Sequence, residues 1–445
     1  MKVKDIIVRL CPNKLLALRS NIVIRKRIAS SKKRHANRLS ELRNKDLINV
    51  CFFAVSSQAW KCDGLYHLME KDPRFNPTVL VCPIVNYGKE NMLRRVKETY
   101  ETLCQMNYNI KLAYDAVNEK YIDVRKELNP DIIVYTNPYK GLIDDRYYID
   151  KFNDKLTIYI PYFFTESRHF ENVYNLPLHN LVWRFYTETS DCFSYAKITG
   201  KLNKDNMVCT GYPGIDQYLV HHNYQEDPWK IQDRKIKRII WAPHHTIDHY
   251  LPNCDYSTFL EYYDFMLELA KKYSKEIQIA FKPHPILRNR LYLKWGKQKT
   301  DAYYEEWNKL NNGFLCDSLY QDLFLTSDAI MHDCGSFISE YMYTGKPALH
   351  LHNGIPYEKQ YNETAIQSLN HYYKARNKAE IEQFILNIIN GVDPLKEVRL
   401  QFIKEKLMPP NMLTASENIF NDIVKELYGE SCINTHNTER VEISN

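Results

Sequence analysis

Apolar residues in this chain come in short unbroken runs separated by amphipathic stretches. Asn49–Val55 (NVCFFAV) is such a run, the pattern of a parallel strand covered on both faces. Thr78–Ile84, Asn109–Tyr114, Asp131–Thr136, Leu156–Pro161, Trp183–Thr187 and Met207–Thr210 continue the series. Helical patterns lie between them, through Leu65, Leu68 and Met69, over Lys89–Met106 and over Tyr121–Leu128. A polar stretch, Val220–Lys235, precedes a second series with strands at Lys237–Ala242, Ile277–Lys282, Gly313–Cys316, Ala329–Asp333 and Pro347–Leu351. In that half the pattern predicts a helix over Asp255–Tyr273 with Asp255 as N-cap, and a helix from near Gly335 that Gly345 ends. The alternation predicts an α/β protein of two Rossmann-like domains facing across a cleft, with ligands at the carboxyl ends of the strands. The expected division is a basic helical extension over 1–46, an N-terminal acceptor domain over 47–220 and a C-terminal nucleotide-donor domain over 221–408. A closing helix over 409–428, its pattern spanning Asn411–Tyr428, and a mobile polar tail over 429–445 complete it.

Charge sharpens one part of this picture. Residues 1–46 hold 14 Lys/Arg against three acids, although the 445-residue chain carries only +6, so the body is mildly acidic. Interleaved Ile6, Ile7, Leu10, Leu15 and Ile22 make the segment partly amphipathic. Two readings stand: attachment to an anionic membrane surface, or a solvated leader helix packed on the body. Nucleic acid is not an expected partner, because no aromatic platform accompanies the charge. The 11 cysteines contain no Cys-x-x-Cys pair, and no secretory leader or run of about 20 apolar residues is visible. A cytoplasmic protein with reduced thiols is expected, peripheral on the inner face of the membrane if the basic segment binds there.

Four strand exits carry candidate chemistry. Gly211 follows the strand ending at Thr210, where a glycine lets backbone approach a ligand or bend sharply. His244 and His245 follow Trp241-Ala242-Pro243; adjacent histidines point apart, which suits hydrogen bonding to phosphate better than a metal site. Lys282 and His284 lie in Phe281-Lys282-Pro283-His284-Pro285, where two prolines stiffen a loop able to neutralise a diphosphate. His332 and Asp333 end a strand before Cys334-Gly335-Ser336-Phe337, whose N–H groups at a helix start would face an anion. Glu340, one turn on, is placed for a ribose diol. Each exit singly is also readable as an ordinary turn. No Gly-x-Gly-x-x-Gly follows Val55, which argues against a dinucleotide-dependent dehydrogenase.

Thr210–Asp216 (TGYPGID), Ile239–Thr246 (IIWAPHHT), Phe281–Pro285 (FKPHP) and Asp322–Tyr341 (DLFLTSDAIMHDCGSFISEY) resemble the CDP-glycerol glycerophosphotransferases, polymerases of teichoic acid and capsule with a GT-B fold. The resemblance covers roughly 205–351. It implies transfer of glycerol phosphate, or a related alditol phosphate, from a CDP-activated donor to a hydroxyl of a surface polymer or its lipid-linked precursor, with release of CMP and without a metal or other cofactor. By it, His284, His332, Asp333 and His244 are expected to be catalytic. Gly211, His245, Lys282, Gly335, Ser336, Phe337 and Glu340 are expected to bind the donor. Two departures are visible: the Trp-His-Gly of the teichoic polymerases is replaced by Tyr162-Phe163-Phe164 after Ile160-Pro161, and Cys334-Gly335 stands for the more usual Tyr-Ser. The alternative expectation is a GT-B glycosyltransferase using a nucleotide-sugar.

Overall fold

The computed structural model describes residues 12–86, 88–219, 227–248, 255–316 and 320–432. Part of the polar stretch after Val220 and most of the tail, 433–445, lie outside these. The chain divides into two compact units. The first comprises 1–162, 169–213 and 415–435, and the second 163–168, 214–414 and 436–445. Helix Ala415–Tyr428 therefore belongs to the first unit although it follows the second in sequence.

The first unit holds β1 (Ile48–Ala54), β2 (Phe75–Val81), β3 (Ile110–Leu112), a hairpin of β4 (Tyr114–Asp115) and β5 (Lys120–Tyr121), then β6 (Ile132–Tyr135), β7 (Leu156–Tyr159), β8 (Arg184–Thr187) and β9 (Met207–Cys209). Its seven-stranded sheet runs β3-β2-β1-β6-β7-β8-β9, and every pair in it is parallel. Alternate residues of the strands feed two cores: Val50, Phe52 and Ala54 one, Cys51 and Phe53 the other. That is why these strands read as unbroken apolar runs.

The second unit holds β10 (Lys237–Ala242), β11 (Ile277–Phe281), β12 (Gly313–Leu315), β13 (Ala329–His332), β14 (Ala348–Leu351) and β15 (Tyr373–Ala375). They are parallel in the order β12-β11-β10-β13-β14-β15. Each unit is thus Rossmann-like. Strand order reverses beside β1 in one and β10 in the other, the position at which such sheets bind ligands.

Several sequence expectations move. The helix predicted over Tyr121–Leu128 shrinks to Val124–Glu127, because Lys120–Tyr121 pairs with Tyr114–Asp115 as a hairpin. The helix predicted from Asp255 starts at Phe259. Residues 255–258 stay outside the helix, and Thr246 Oγ1 accepts the N–H groups of Tyr256 and Ser257, at 3.0 and 3.3 Å. The final helix starts at Ala415 after a turn with Asn411 and Met412 at positive φ. Strand β15 was not anticipated; it has only three residues, of which Ala375 alone is buried.

Helix Pro12–Leu42 carries the basic segment. From residue 22 onward it docks on the first unit through Ile28, Ser31, His35 and Leu42, all buried. Its cations meet acids of the body: Arg27 with Asp150, Lys32 with Asp205, and Arg38 with Asp131 at 2.6 Å. Among the described residues no helix is long and apolar enough to cross a membrane.

Candidate active site

At the reversal point of the second sheet, the exits of β10, β11 and β13 are laced together by backbone. Lys282 N donates to Trp241 O at 2.8 Å and His284 N to Pro243 O at 3.0 Å. Pro243, Pro283 and Pro285 restrict the same loops. This brings His244, His245 and His284 into one cluster. Ring centroids are 4.1 Å apart for His244–His245 and His245–His284, and 5.1 Å for His244–His284. Lys282, nearly buried at 5% exposure, acts electrostatically on His284.

Burial, then the neighbouring imidazoles, holds His244 well below its ordinary pKa. Burial, then His245 and Lys282, does the same to His284. Burial, then Arg290, lowers His245 to about 4. All three are therefore neutral near pH 7, with one N–H and one lone pair each. Partners fix the tautomer of two of them. The Ile286 N–H donates to His284 Nδ1 at 3.2 Å, so His284 carries its proton on Nε2. Thr246 Oγ1 already accepts two backbone N–H groups, so its hydroxyl proton goes to His244 Nδ1, 3.0 Å away, and His244 too presents Nε2–H.

The three rings pass a simple distance test for a cation, since one nitrogen from each lies within 4.8 Å of the others. The hydrogen bonding opposes that use. A metal bound through Nε2 needs Nδ1 to be a donor, as ligating histidines normally have it. Here both Nδ1 atoms accept. Neutral N–H donors beside a lysine suit phosphate oxygens.

Asp333 takes a different place from the one expected of a catalytic group. It is 0% exposed. Oδ1 accepts from His244 N at 2.6 Å, and Oδ2 from Thr258 N and Oγ1 at 2.6 and 2.8 Å. Burial pushes its pKa up to about 6 against these bonds. Its task here is to position the histidine loop.

His332 is likewise interior. Its Nδ1–H donates to Cys334 O at 3.0 Å, and Nε2 is buried without a partner among the described residues. Burial lowers its pKa to about 3.

The helix after β13 corrects a second expectation. It spans only Phe337–Met342, and its third N–H, from Ser339, donates to Glu166 Oε1 at 2.5 Å. A carboxylate of the chain thus takes this N–H, two residues beyond the Gly335–Phe337 N–H groups foreseen for donor phosphate. Gly335 and Ser336 form the turn ahead of it, with Ser336 Oγ 3.1 Å from Cys334 Sγ. The Phe337 ring packs on Tyr320 and Phe324, each at 5.0 Å. Glu340 is 1% exposed and accepts from the Tyr320 hydroxyl at 2.9 and 3.0 Å, so Tyr320 covers the carboxylate expected at a ribose. Gly211 lies in the first unit, where its N–H donates to Thr187 O at 3.2 Å.

Sequence reasoning missed Glu166, Thr246 and Thr258. The Glu166–Ser339 contact spans 173 residues and has no local signature. Only the Thr246 position, two residues past His244, gave a local hint.

Comparison with solved structures finds the same architecture in distant proteins. The S. aureus MnaA–UDP co-structure aligns with TM-score 0.55 at 16% identity, over 86% of this chain and 97% of that one. A UDP-N-acetylglucosamine 2-epimerase aligns with 0.54 at 12% identity, over 89% and 100%. The wall teichoic acid polymerase TagF aligns with 0.52 at 14% identity, over 96% and 98%. At these identities the likeness is one of fold, two Rossmann-like domains of the GT-B type. No curated protein sequence matches. The sequence profile described as CDP-glycerol:poly(glycerophosphate) glycerophosphotransferase matches residues 194–425, which include both histidine loops and the β13 exit. That match spans more than half of the chain, which therefore belongs to the CDP-glycerol:poly(glycerophosphate) glycerophosphotransferase family.

Proposed function

We propose that this enzyme transfers glycerol phosphate, or a related alditol phosphate, from a CDP-activated donor to a hydroxyl of a cell-surface polymer or its lipid-linked precursor. The observation that carries the reading is the cluster of His244, His245 and His284 beside Lys282 at the reversal point of the second sheet. The acceptor oxygen attacks the β-phosphorus in line. The new P–O bond forms as the bond to CMP breaks, and CMP leaves. Such transfer depends on positioning and charge neutralisation more than on covalent chemistry. Lys282 supplies the positive charge, and the Nε2–H groups of His244 and His284 donate to phosphate oxygens. His245, the third imidazole of the cluster, takes the hydroxyl proton. Asp333 holds the His244 loop in place.

The exposed Ile22 and Val23 beside exposed Arg25 and Lys26 support a peripheral contact with an anionic membrane surface, where a lipid-linked acceptor would lie.

The test is incubation with CDP-glycerol, other CDP-alditols and UDP- and CMP-sugars, in the presence and absence of EDTA. CMP release with a phosphodiester product by mass spectrometry, unaffected by EDTA, supports the proposal. A glycosidic product identifies a sugar transferase instead. Activity lost to EDTA and restored by Mg²⁺ overturns the metal-free scheme.

A further inference from the structure

The first unit contains a cavity of about 590 Å³ that the donor chemistry does not use. It lies at the carboxyl ends of β2, β3 and β6, the edge at which open parallel sheets bind ligands. An isolated bridge, Ile84–Ile143, ties the loop after β2 to the loop after β6 along its wall. Its size falls within the roughly 300–1,000 Å³ of small-molecule sites.

Three features define what fits. Gly88 and Gly141 stand on opposite loops at φ 81° and 78°, and no atom lies within 4 Å of where a Cβ would be. Both positions keep the walls open, and any other residue there would be strained. Tyr114 and Tyr121 present aromatic surface, with ring centroids 4.7 Å apart, and the Arg146 guanidinium stacks 4.3 Å over Tyr121 and fixes it. Of the charged groups at the wall, Glu119 is paired with Lys89 at 2.5 Å and Asp144 with Arg146 at 2.8 Å, which leaves Asp145 as the source of one net negative charge. The wall therefore carries no excess of cations with which to hold a phosphate. Carboxylates accept hydrogen bonds from hydroxyls, and tyrosine rings pack against the C–H faces of a pyranose or polyol.

We propose that this cavity binds a neutral polyhydroxylated unit, a glycosyl or alditol residue, separately from the donor site. The inference does not rest on the identity of the donor.

Saturation-transfer NMR on the full chain tests it, with N-acetylglucosamine, maltose and ribitol as probes and glucose 6-phosphate and CMP as anionic controls. At least one neutral probe is expected to bind, without competition from CMP. Asp145→Asn, an isosteric change at an exposed position, and Tyr121→Leu are each expected to weaken it about tenfold, the loss of one good polar or stacking contact. A thermal melt confirms that both variants fold. The proposal fails if no neutral probe binds, if binding is indifferent to both substitutions, or if glucose 6-phosphate binds as well as its neutral counterparts.

Discussion

The backbone N–H of His244 donates to Oδ1 of Asp333 over 2.6 Å, tying the exit of β10 to the exit of β13. Thr258 fills the other oxygen through its N–H and hydroxyl, so one buried carboxylate fixes three donors from the start and the end of the connection between β10 and the helix at Phe259. Asp333→Ala leaves those donors unpaired at about 1–3 kcal/mol each. The expected outcome is a clear fall in unfolding free energy together with loss of transfer. Asp333→Asn keeps the shape but turns an N–H₂ toward N–H donors, and is expected to lose nearly as much. Urea unfolding and CMP release on both variants check this. An Asp333→Ala protein of unchanged stability would remove its positioning task.

Lys282→Met and His284→Ala address the phosphate contacts directly. Each is expected to lower kcat/KM by about 10²–10³-fold, the cost of one preorganised donor in a site where charge develops. The His284 ring accepts the Ile286 N–H at 3.2 Å within its own loop, and the backbone N–H groups of both residues tie that loop to the exit of β10. The melting temperature of the His284 variant is expected to stay near that of the parent. Steady-state kinetics with a CDP-activated donor separates a change in kcat from one in KM.

Acid is expected to destabilise the protein before it reaches ordinary carboxylate pKa values. His35 and His245 are held at about 4 and His332 at about 3, each chiefly by burial, whereas the unfolded chain takes those protons near 6.5. Between pH 6.5 and 4 the unfolded state therefore binds more protons, and stability falls with pH. By linkage the loss at pH 5 is about 2 kcal/mol per histidine. Asp333, pushed up to about 6, has the opposite sign and offsets about 1 kcal/mol. Chemical unfolding at pH 7 and pH 5 measures the difference. His245→Gln is expected to make it smaller.

Asp131 anchors the N-terminal helix. It is 1% exposed and accepts from Arg38 at 2.6 Å and from Asn49 N at 2.9 Å, with Lys45 as a further partner. Asp131→Ala removes the partner of two cations and of the Asn49 N–H in β1. It is expected to cost about 1–3 kcal/mol, chiefly for the Asn49 N–H left unpaired, since Arg38 and Lys45 are partly exposed and rehydrate. It is also expected to expose the helix to proteolysis, read by the appearance of a clipped N-terminus. Anionic vesicles bound equally by the variant and the parent would show that membrane contact does not need the docked helix.

The strands of both sheets other than β15 were legible because parallel strands bury both faces. Ile277–Phe281 and Ile132–Tyr135 are buried at every position and leave no polar alternation to confuse them. The helix starts were less legible. Asp255 is a good N-cap by type, yet the helix begins at Phe259 because a distant threonine captures the intervening N–H groups. Lys282 and the histidines of the β10 and β11 exits were placed correctly at strand ends, since a strand's end is a local property. The occupancy of Asp333, Glu340 and the helix at Phe337 was not legible, because it depends on Thr258, Tyr320 and Glu166.

Sequence alone determined the α/β class, the two series of strands, the loops that carry imidazole and lysine, and the family those loops resemble. Burial, hydrophobic period and proline are all written within a few neighbouring residues. Tertiary structure decided which polar groups remain available to a ligand. A carboxylate or imidazole is committed by whatever donor folding brings within about 3 Å, and that partner can come from any distance along the chain.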